Sequence, residues 1–265
     1  MAGSDPTTEA LVLDQDQGRA EAVVHAPGVL AGTSVFAHVF TTLDPSLQVE
    51  LPVVDASPVT PGKRVARVRG SLVSILKAER VALNFLQRMS GIATESARYV
   101  AAVAGLPVRI VDTRKTAPGM RWLDKYAVRM GGAFNHRLTL CDGILVKDNH
   151  LAVVRARGDT FKTMVARLRD RASHLLKIQV EVETPEEAIE AVEAGADALL
   201  LDQMSLEQMQ EVVRRFKGKV LIEASGGITL ENVRQVAETG VDFISVGALT
   251  HSPRALDISL EIHRA

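Results

Sequence analysis

The residue types able to do chemistry gather in a few short stretches: Asp112-Thr113-Arg114-Lys115, Asn135-His136-Arg137, Lys147-Asp148-Asn149, Glu181-Val182-Glu183, and Glu223 with Ser225-Gly226-Gly227. Arginine recognises carboxylates through two parallel hydrogen bonds, and lysine supplies a point charge suited to a pyrophosphate. Arg114, Lys115, Arg137 and Lys147 together therefore imply a substrate with several negative charges. Glu181 and Glu183, with Asp202 further along, offer carboxylates for sugar hydroxyls or Mg²⁺. Ion pairing with basic residues on neighbouring strands is the competing reading for any one of them. Ser225-Gly226-Gly227 and Gly247 are turns in which backbone N–H groups can approach a phosphate, and a helix expected from Thr229 adds its N-terminal dipole.

These stretches need a frame that brings them to one place. From Gly105 onward, apolar runs alternate with amphipathic helical patterns: 108–113, 144–149, 178–183, 198–202, 220–227 and 243–248. From Ile178, the starts of the last four runs lie 20, 22 and 23 residues apart, the length of a strand, a helix and two short loops. This is β/α alternation with parallel strands, and a closed or nearly closed barrel fits it best, with a doubly wound sheet as the alternative. In either fold functional residues collect at the carboxyl ends of the strands, where the reactive stretches fall. Alternation along 178–183 turns Gln179, Glu181 and Glu183 inward and Ile178, Val180 and Val182 toward covering helices. Residues 9–70 read as short antiparallel strands and hairpins. Residues 71–104 have helical periodicity, with a break expected at Ser90-Gly91.

The chain of 265 residues has 31 Lys and Arg against 32 Asp and Glu, a net charge of -1, which excludes bulk attraction to nucleic acid or anionic membranes. Locally the balance differs. Residues 80–150 hold 11 Lys and Arg against 5 acids, a net +6, and residues 181–242 hold 5 against 14, a net -9. Arg121, Lys125 and Arg129, at spacing four, read as a solvated helix face. One cysteine, Cys141, excludes an internal disulfide framework and a four-cysteine zinc site, and reads as a small buried residue. No run approaches the roughly 18 apolar residues of a membrane span, and 1–8 have no signal-peptide pattern, so a cytoplasmic protein is expected. No Ser-His-Asp triad is visible. Trp122 and Tyr126 read as packing residues, and His150 as a cap on the helix after its strand.

The motifs ERVALNFLQRMSGIAT (79–94), DTRKTAPG (112–119), GGAFNHR (131–137), LVKDNH (145–150), VEVET (180–184), LLLD (199–202), EASGGI (223–228) and VGALTH (246–251) occur in the order and spacing of quinolinate phosphoribosyltransferase. The resemblance runs from about Asp5 to Asp257. It implies an α/β protein, an open (β/α) barrel of the TIM-like type (86–251) preceded by a small α/β sandwich domain (1–85), with the tail 252–265 packed on the latter. In the family a further helix usually precedes the segment matching SDPTT, and its support for the dimer is not expected here.

The resemblance also implies the activity. Quinolinate and phosphoribosyl pyrophosphate give nicotinate mononucleotide, pyrophosphate and CO₂, with Mg²⁺, in a cytoplasmic homodimer or hexamer whose sites are shared between subunits. Arg114, His136, Arg137 and Lys147 would hold the quinolinate carboxylates, with Arg80 reaching in from the partner. Lys115 would lie by the pyrophosphate. Glu181 and Asp202 would act on the ribose hydroxyls and help place the metal. Ser225, Gly226, Gly227, Gly247 and His251 would hold the 5′-phosphate. The rivals are a molybdenum-transport-associated paralogue, against which NHR and KDNH together argue; another phosphate-binding barrel such as a phosphosugar isomerase, which has no need of DTRKT plus NHR; and a non-catalytic ligand sensor, which the intact charged set disfavours.

Overall fold

The computed structural model describes residues 5–264, which form two compact units. Of the described residues, one unit comprises 5–97, 117–132 and 249–264; the other comprises 98–116 and 133–248. The chain thus passes between units more often than a single boundary near residue 85 implies.

In the first unit, α1 (Pro6–Leu11) is capped by Asp5, whose carboxylate accepts from Thr8 N–H. β1 (Gln17–Val24), β2 (Gly28–Val29), α2 (Thr33–Leu43), β3 (Gln48–Glu50), β4 (Pro58–Val59) and β5 (Arg64–Ser71) follow. Along β1 the alternation holds as far as Ala22, with Ala20 and Ala22 fully buried and Arg19 and Glu21 on the other face; beyond the register shift at Ala22/Val23 both Val23 and Val24 are buried. The buried face meets Phe36 and Phe40 of α2, whose rings pack 5.0 Å apart. Full burial of each such ring is worth about 1.5–3 kcal/mol. The segment β12 (Ile258–Arg264) at the far end of the chain pairs antiparallel with β1, so the sheet order is β12-β1-β5-β3.

α3 (Leu72–Ala102) is one unbroken helix, contrary to the break expected at Ser90-Gly91. Ser90 turns its hydroxyl to the segment before α2, accepting from Ala31 N–H and donating to Ala31 C=O. Gly91 serves close approach: a Cβ there would lie 2.2 Å from the Arg254 carbonyl oxygen. Both residues are chosen for tertiary contact, and that outweighs helix propensity.

The second unit holds β6 (Arg109–Val111), β7 (Ile144–Val146), β8 (Ile178–Val182), β9 (Ala198–Asp202), β10 (Leu221–Ser225) and β11 (Phe243–Ser245). They form a parallel sheet in the order β6-β11-β10-β9-β8-β7, the open barrel of the α/β TIM-like class. The helices of this unit are α5 (Asp148–Ala156), α6 (Phe161–Arg171), α7 (Pro185–Glu193), α8 (Leu206–Phe216) and α9 (Val233–Glu238), while α4 (Arg121–Met130) and all but the first residue of α10 (Ala248–His251) belong to the first unit. Ile178, Val180 and Val182 are buried as the alternation requires. No helix among the described residues is long and apolar enough to cross a membrane.

Three surface readings are corrected. Lys125 is only 3% exposed, and its neighbour Asp124, fully buried, is held by Arg88 through Nε (3.0 Å) and Nη2 (2.9 Å) and by the Ala117 N–H. Lys125 shares the buried face of α4 with Asp124, Ala127 and Val128, so only Arg129 of the three spaced residues is exposed. Trp122 is exposed, as is Tyr126, whose hydroxyl donates to Asp55. Cys141 is a free, exposed thiol in a short 3₁₀ turn (Leu140–Asp142).

Candidate active site

The carboxyl ends of the barrel strands surround a cavity of about 730 Å³ built wholly from second-unit residues. It is lined by Arg114 and Lys115 after β6, by His136 and Arg137, by Lys147 and Asp148 after β7, by Glu181 of β8, by Asp202 of β9, and by Glu223, Ser225, Gly226 and Gly227 of β10 and its loop.

The cationic wall is set by a carboxylate. Asp112, fully buried just after β6, accepts from Asn135 Nδ2 (2.7 Å) and from His136 N–H (2.8 Å). These bonds tie the Asn135-His136-Arg137 segment to the end of β6, alongside Phe134, which pairs with Ile110 and Asp112 through the backbone. His136 Nδ1 accepts from Arg137 N–H (2.7 Å), which leaves the ring proton on Nε2, 3.3 Å from Glu223 Oε2. Both ring nitrogens of His136 are thus engaged within the protein.

Arg137 sits beside Arg114. Burial and the Arg114 charge both lower its pKa, against the pull of Asp142 and Glu223. Its Nη1 donates to Gly143 C=O (3.0 Å), while its buried Nε has no hydrogen-bond partner. Two guanidinium groups held together in a cavity are a destabilising arrangement that an anionic ligand relieves.

The acidic wall is equally organised. Glu181, 6% exposed, is ion-paired through Oε2 with Lys147 Nζ and accepts from Asp148 N–H (3.2 Å). Asp202 ends β9 beside Ser225, its register partner on β10. Burial pushes Glu223 up, but hydrogen bonding from His136 and from the Gln179 amide outweighs it and holds the carboxyl below its ordinary value. At Gly226, with φ +85°, a Cβ would stand 2.6 Å from Gln203 Cγ and 2.9 Å from Asp202 Oδ1, whereas a Cβ on Gly227 would meet open space. The backbone there can approach a ligand as no other residue type would allow.

Of the residues expected from sequence, the cavity gathers Arg114, Lys115, His136, Arg137, Lys147, Glu181, Asp202, Ser225, Gly226 and Gly227. Arg80, exposed on α3, and His251, whose Nδ1 lies 2.6 Å from Ser252 Oγ, belong to the first unit. Gly247 follows β11 outside the lining residues. Glu183 is exposed, because β8 ends at Val182 and alternation ends with it; its N–H bonds Glu187 at the start of α7. The helix expected from Thr229 begins at Val233, with Asn232 Oδ1 accepting from Thr229 N–H in the intervening turn. His150 does cap its helix, Nδ1 accepting from Lys147 N–H. Asp112, Gln179 and Glu223 have roles that residue counting missed. The inward direction of Glu223 follows from the same alternation that marks Glu181, since it stands two residues before Ser225 on one face.

The Quinolinate phosphoribosyl transferase N-terminal domain matches residues 5–90 and the C-terminal domain of the same family matches 92–261. A probable nicotinate-nucleotide pyrophosphorylase [carboxylating] of Synechocystis is 44% identical over 98% of this chain and 88% of that protein. Its counterpart in Bacillus subtilis is 38% identical over 98% of this chain and 89% of its own length. The crystal structure of NadC from Streptococcus pyogenes superposes with a TM-score of 0.93 at 39% identity, covering 99% of this chain and 92% of that one. Motifs, fold and cavity agree with these likenesses over nearly the full length, and the chain belongs to the quinolinate phosphoribosyltransferase family.

Proposed function

We propose that this chain is a carboxylating phosphoribosyltransferase: it transfers phosphoribosyl from phosphoribosyl pyrophosphate to quinolinate and releases nicotinate mononucleotide, pyrophosphate and CO₂, a step of NAD biosynthesis. The observation that carries the reading is Arg114 beside Arg137 in a cavity whose opposite wall holds Glu181 and Asp202. A dicarboxylate satisfies the paired arginines, and a ribose offers hydroxyl donors to the carboxylates.

The pyridine nitrogen of quinolinate is itself the nucleophile. It attacks the anomeric carbon, the bond to pyrophosphate oxygen breaks with its electrons leaving on pyrophosphate, and positive charge develops on the ribose. Glu181 and Asp202 stabilise that charge, and Lys115 neutralises the leaving group. Arg114, Arg137 and Lys147 orient the ring through its carboxylates; Lys147 exchanges Glu181 for substrate as the site fills. His136, with both nitrogens engaged, fixes Arg137 and Glu223 rather than donating to quinolinate. Carbon 2 then loses CO₂, the electron pair is held next to the cationic nitrogen, and one proton is taken up at that carbon. Ser225, Gly226, Gly227 and Gly247 bind the 5′-phosphate; His251 is the further phosphate contact in this reading.

Among the described residues no group of three or more His, Cys, Asp or Glu could hold a metal. Mg²⁺ commonly binds through one or two carboxylates together with substrate phosphates and waters, and Glu181 with Asp202 suits that mode. Bound there with its substrate, Mg²⁺ would offset charge on the pyrophosphate. The reading extends to a cytoplasmic homodimer or a hexamer, in which Arg80 of one copy completes its partner's site; sedimentation of the full chain checks the assembly. The function is tested by supplying phosphoribosyl pyrophosphate and Mg²⁺ with quinolinate or with nicotinate. Nicotinate mononucleotide should form from quinolinate, and formation from neither acid would refute the reading.

A further inference from the structure

A second cavity, of about 430 Å³, opens at the opposite, amino ends of the same strands. Ile144, Ala198, Leu221 and Phe243, the first residues of β7, β9, β10 and β11, form its walls with Gln179 near the start of β8. The layering follows from strand register. Leu221 pairs with Ala198, Glu223 with Leu200, and Ser225 with Asp202, so the inward side chains form successive layers from one mouth to the other. The two cavities share only His136, Arg137 and Glu223, which form the partition between them.

Barrel interiors of this class are ordinarily filled by side chains. Here Ala198 leaves the amino-end layer open, and the volume falls in the range of small-molecule pockets, about 300–1,000 Å³. The partition also presents an unused group. Glu223 is 5% exposed, its Oε2 takes the Gln179 amide (2.8 Å) from the amino-end wall, and its Oε1 has no hydrogen-bond partner. A buried carboxylate oxygen requires a donor. Quinolinate, a dianion whose carboxylates only accept, cannot supply one. The mouth carries one charge of each sign, Asp142 and Lys177, and so selects for neither.

We propose that this amino-end cavity is a second ligand site, for a small, flat, uncharged heteroaromatic molecule whose ring N–H donates to Glu223. An anion is excluded by Glu223 and a cation by Arg137, while the apolar strand-start residues cover the ring faces. A ligand there touches the back of the residues that position the front cavity, so its occupancy is coupled to anion binding on the other side.

Indole is a suitable probe, and benzofuran, which has the same shape without the N–H, is its control. Ligand-observed NMR and calorimetry on the full chain should show saturable indole binding, with a Kd of about 0.1–1 mM for a ligand of this size. Benzofuran should bind about tenfold more weakly, the loss expected for one hydrogen bond to a charged group. Leu221→Trp, at the partly exposed rim, should weaken indole at least about tenfold by occluding the mouth, while Asp202→Asn, which lines only the front cavity, should leave it unchanged. Absence of saturable indole binding to the wild-type chain, equal affinity for indole and benzofuran, or loss of indole in Asp202→Asn with retention in Leu221→Trp would each overturn the proposal.

Discussion

Replacing Arg137 by Met separates affinity from stability, because the geometry asks the two to move in opposite directions. The methionine keeps most of the aliphatic volume and removes the guanidinium. In the folded protein without substrate, that group sits beside Arg114 with a buried, unpartnered Nε. Removing an unsatisfied buried donor recovers about 1–3 kcal/mol, and losing the bond to Gly143 C=O and the attraction of Asp142 and Glu223 costs about 1 kcal/mol. The balance is a gain of about 1 kcal/mol, or a rise in Tm of about 2–4 °C. With substrate the sign reverses. A charge-assisted bond to carboxylate is worth about 1.5–3 kcal/mol, so KM for quinolinate should rise roughly 10- to 150-fold. Steady-state kinetics with varied quinolinate, beside thermal melts of the substrate-free protein, give both quantities. A lowered Tm with an unchanged KM would mean that Arg137 is a structural prop, and the reasoning would fail.

Other expectations concern the elements that hold the site. Arg88→Met strands the fully buried Asp124 and should destabilise the protein by about 3 kcal/mol in denaturant titrations; a change below about 1 kcal/mol would show that the pair contributes little. Gly226→Ala forces a left-handed backbone on alanine and places a Cβ against Asp202 and Gln203, so KM for phosphoribosyl pyrophosphate should rise at least about tenfold, with quinolinate affinity nearly unchanged. Glu223, whose folded pKa is depressed, contributes stability above the ordinary carboxylate range that is lost as pH falls through its lowered value. The stability gap between wild type and Glu223→Gln should therefore be about 1–3 kcal/mol near neutral pH and shrink below about pH 4; a gap independent of pH would contradict this.

Much of this site can be read in the sequence because parallel strands put chemistry at their carboxyl ends. Arg114, Lys147, Glu181, Asp202 and Ser225 each lie at or just past a strand end, and the structure brings all five to one cavity. The misreadings came where local pattern meets tertiary demand. Glu183 continues an alternation that stops with β8. Ser90-Gly91 looks like a helix break, but Gly91 is needed for the approach of Arg254. Lys125 belongs to a charged spacing, yet α4 turns it inward. Glu223 and Gln179 stand in the sequence reading without partners, because pairing between strands leaves no trace in a linear motif, and Asp112 without a role, because its partners lie more than twenty residues further along the chain.

The central claim is that one cavity couples phosphoribosyl transfer to loss of the carboxylate next to the ring nitrogen. The most direct measurement uses quinolinate labelled in that carboxylate, with phosphoribosyl pyrophosphate and Mg²⁺, and follows labelled CO₂, pyrophosphate and nicotinate mononucleotide together. Equal amounts of all three, with the label wholly in CO₂, are predicted. Pyrophosphate released without labelled CO₂, or a nucleotide that retains the label, would contradict it.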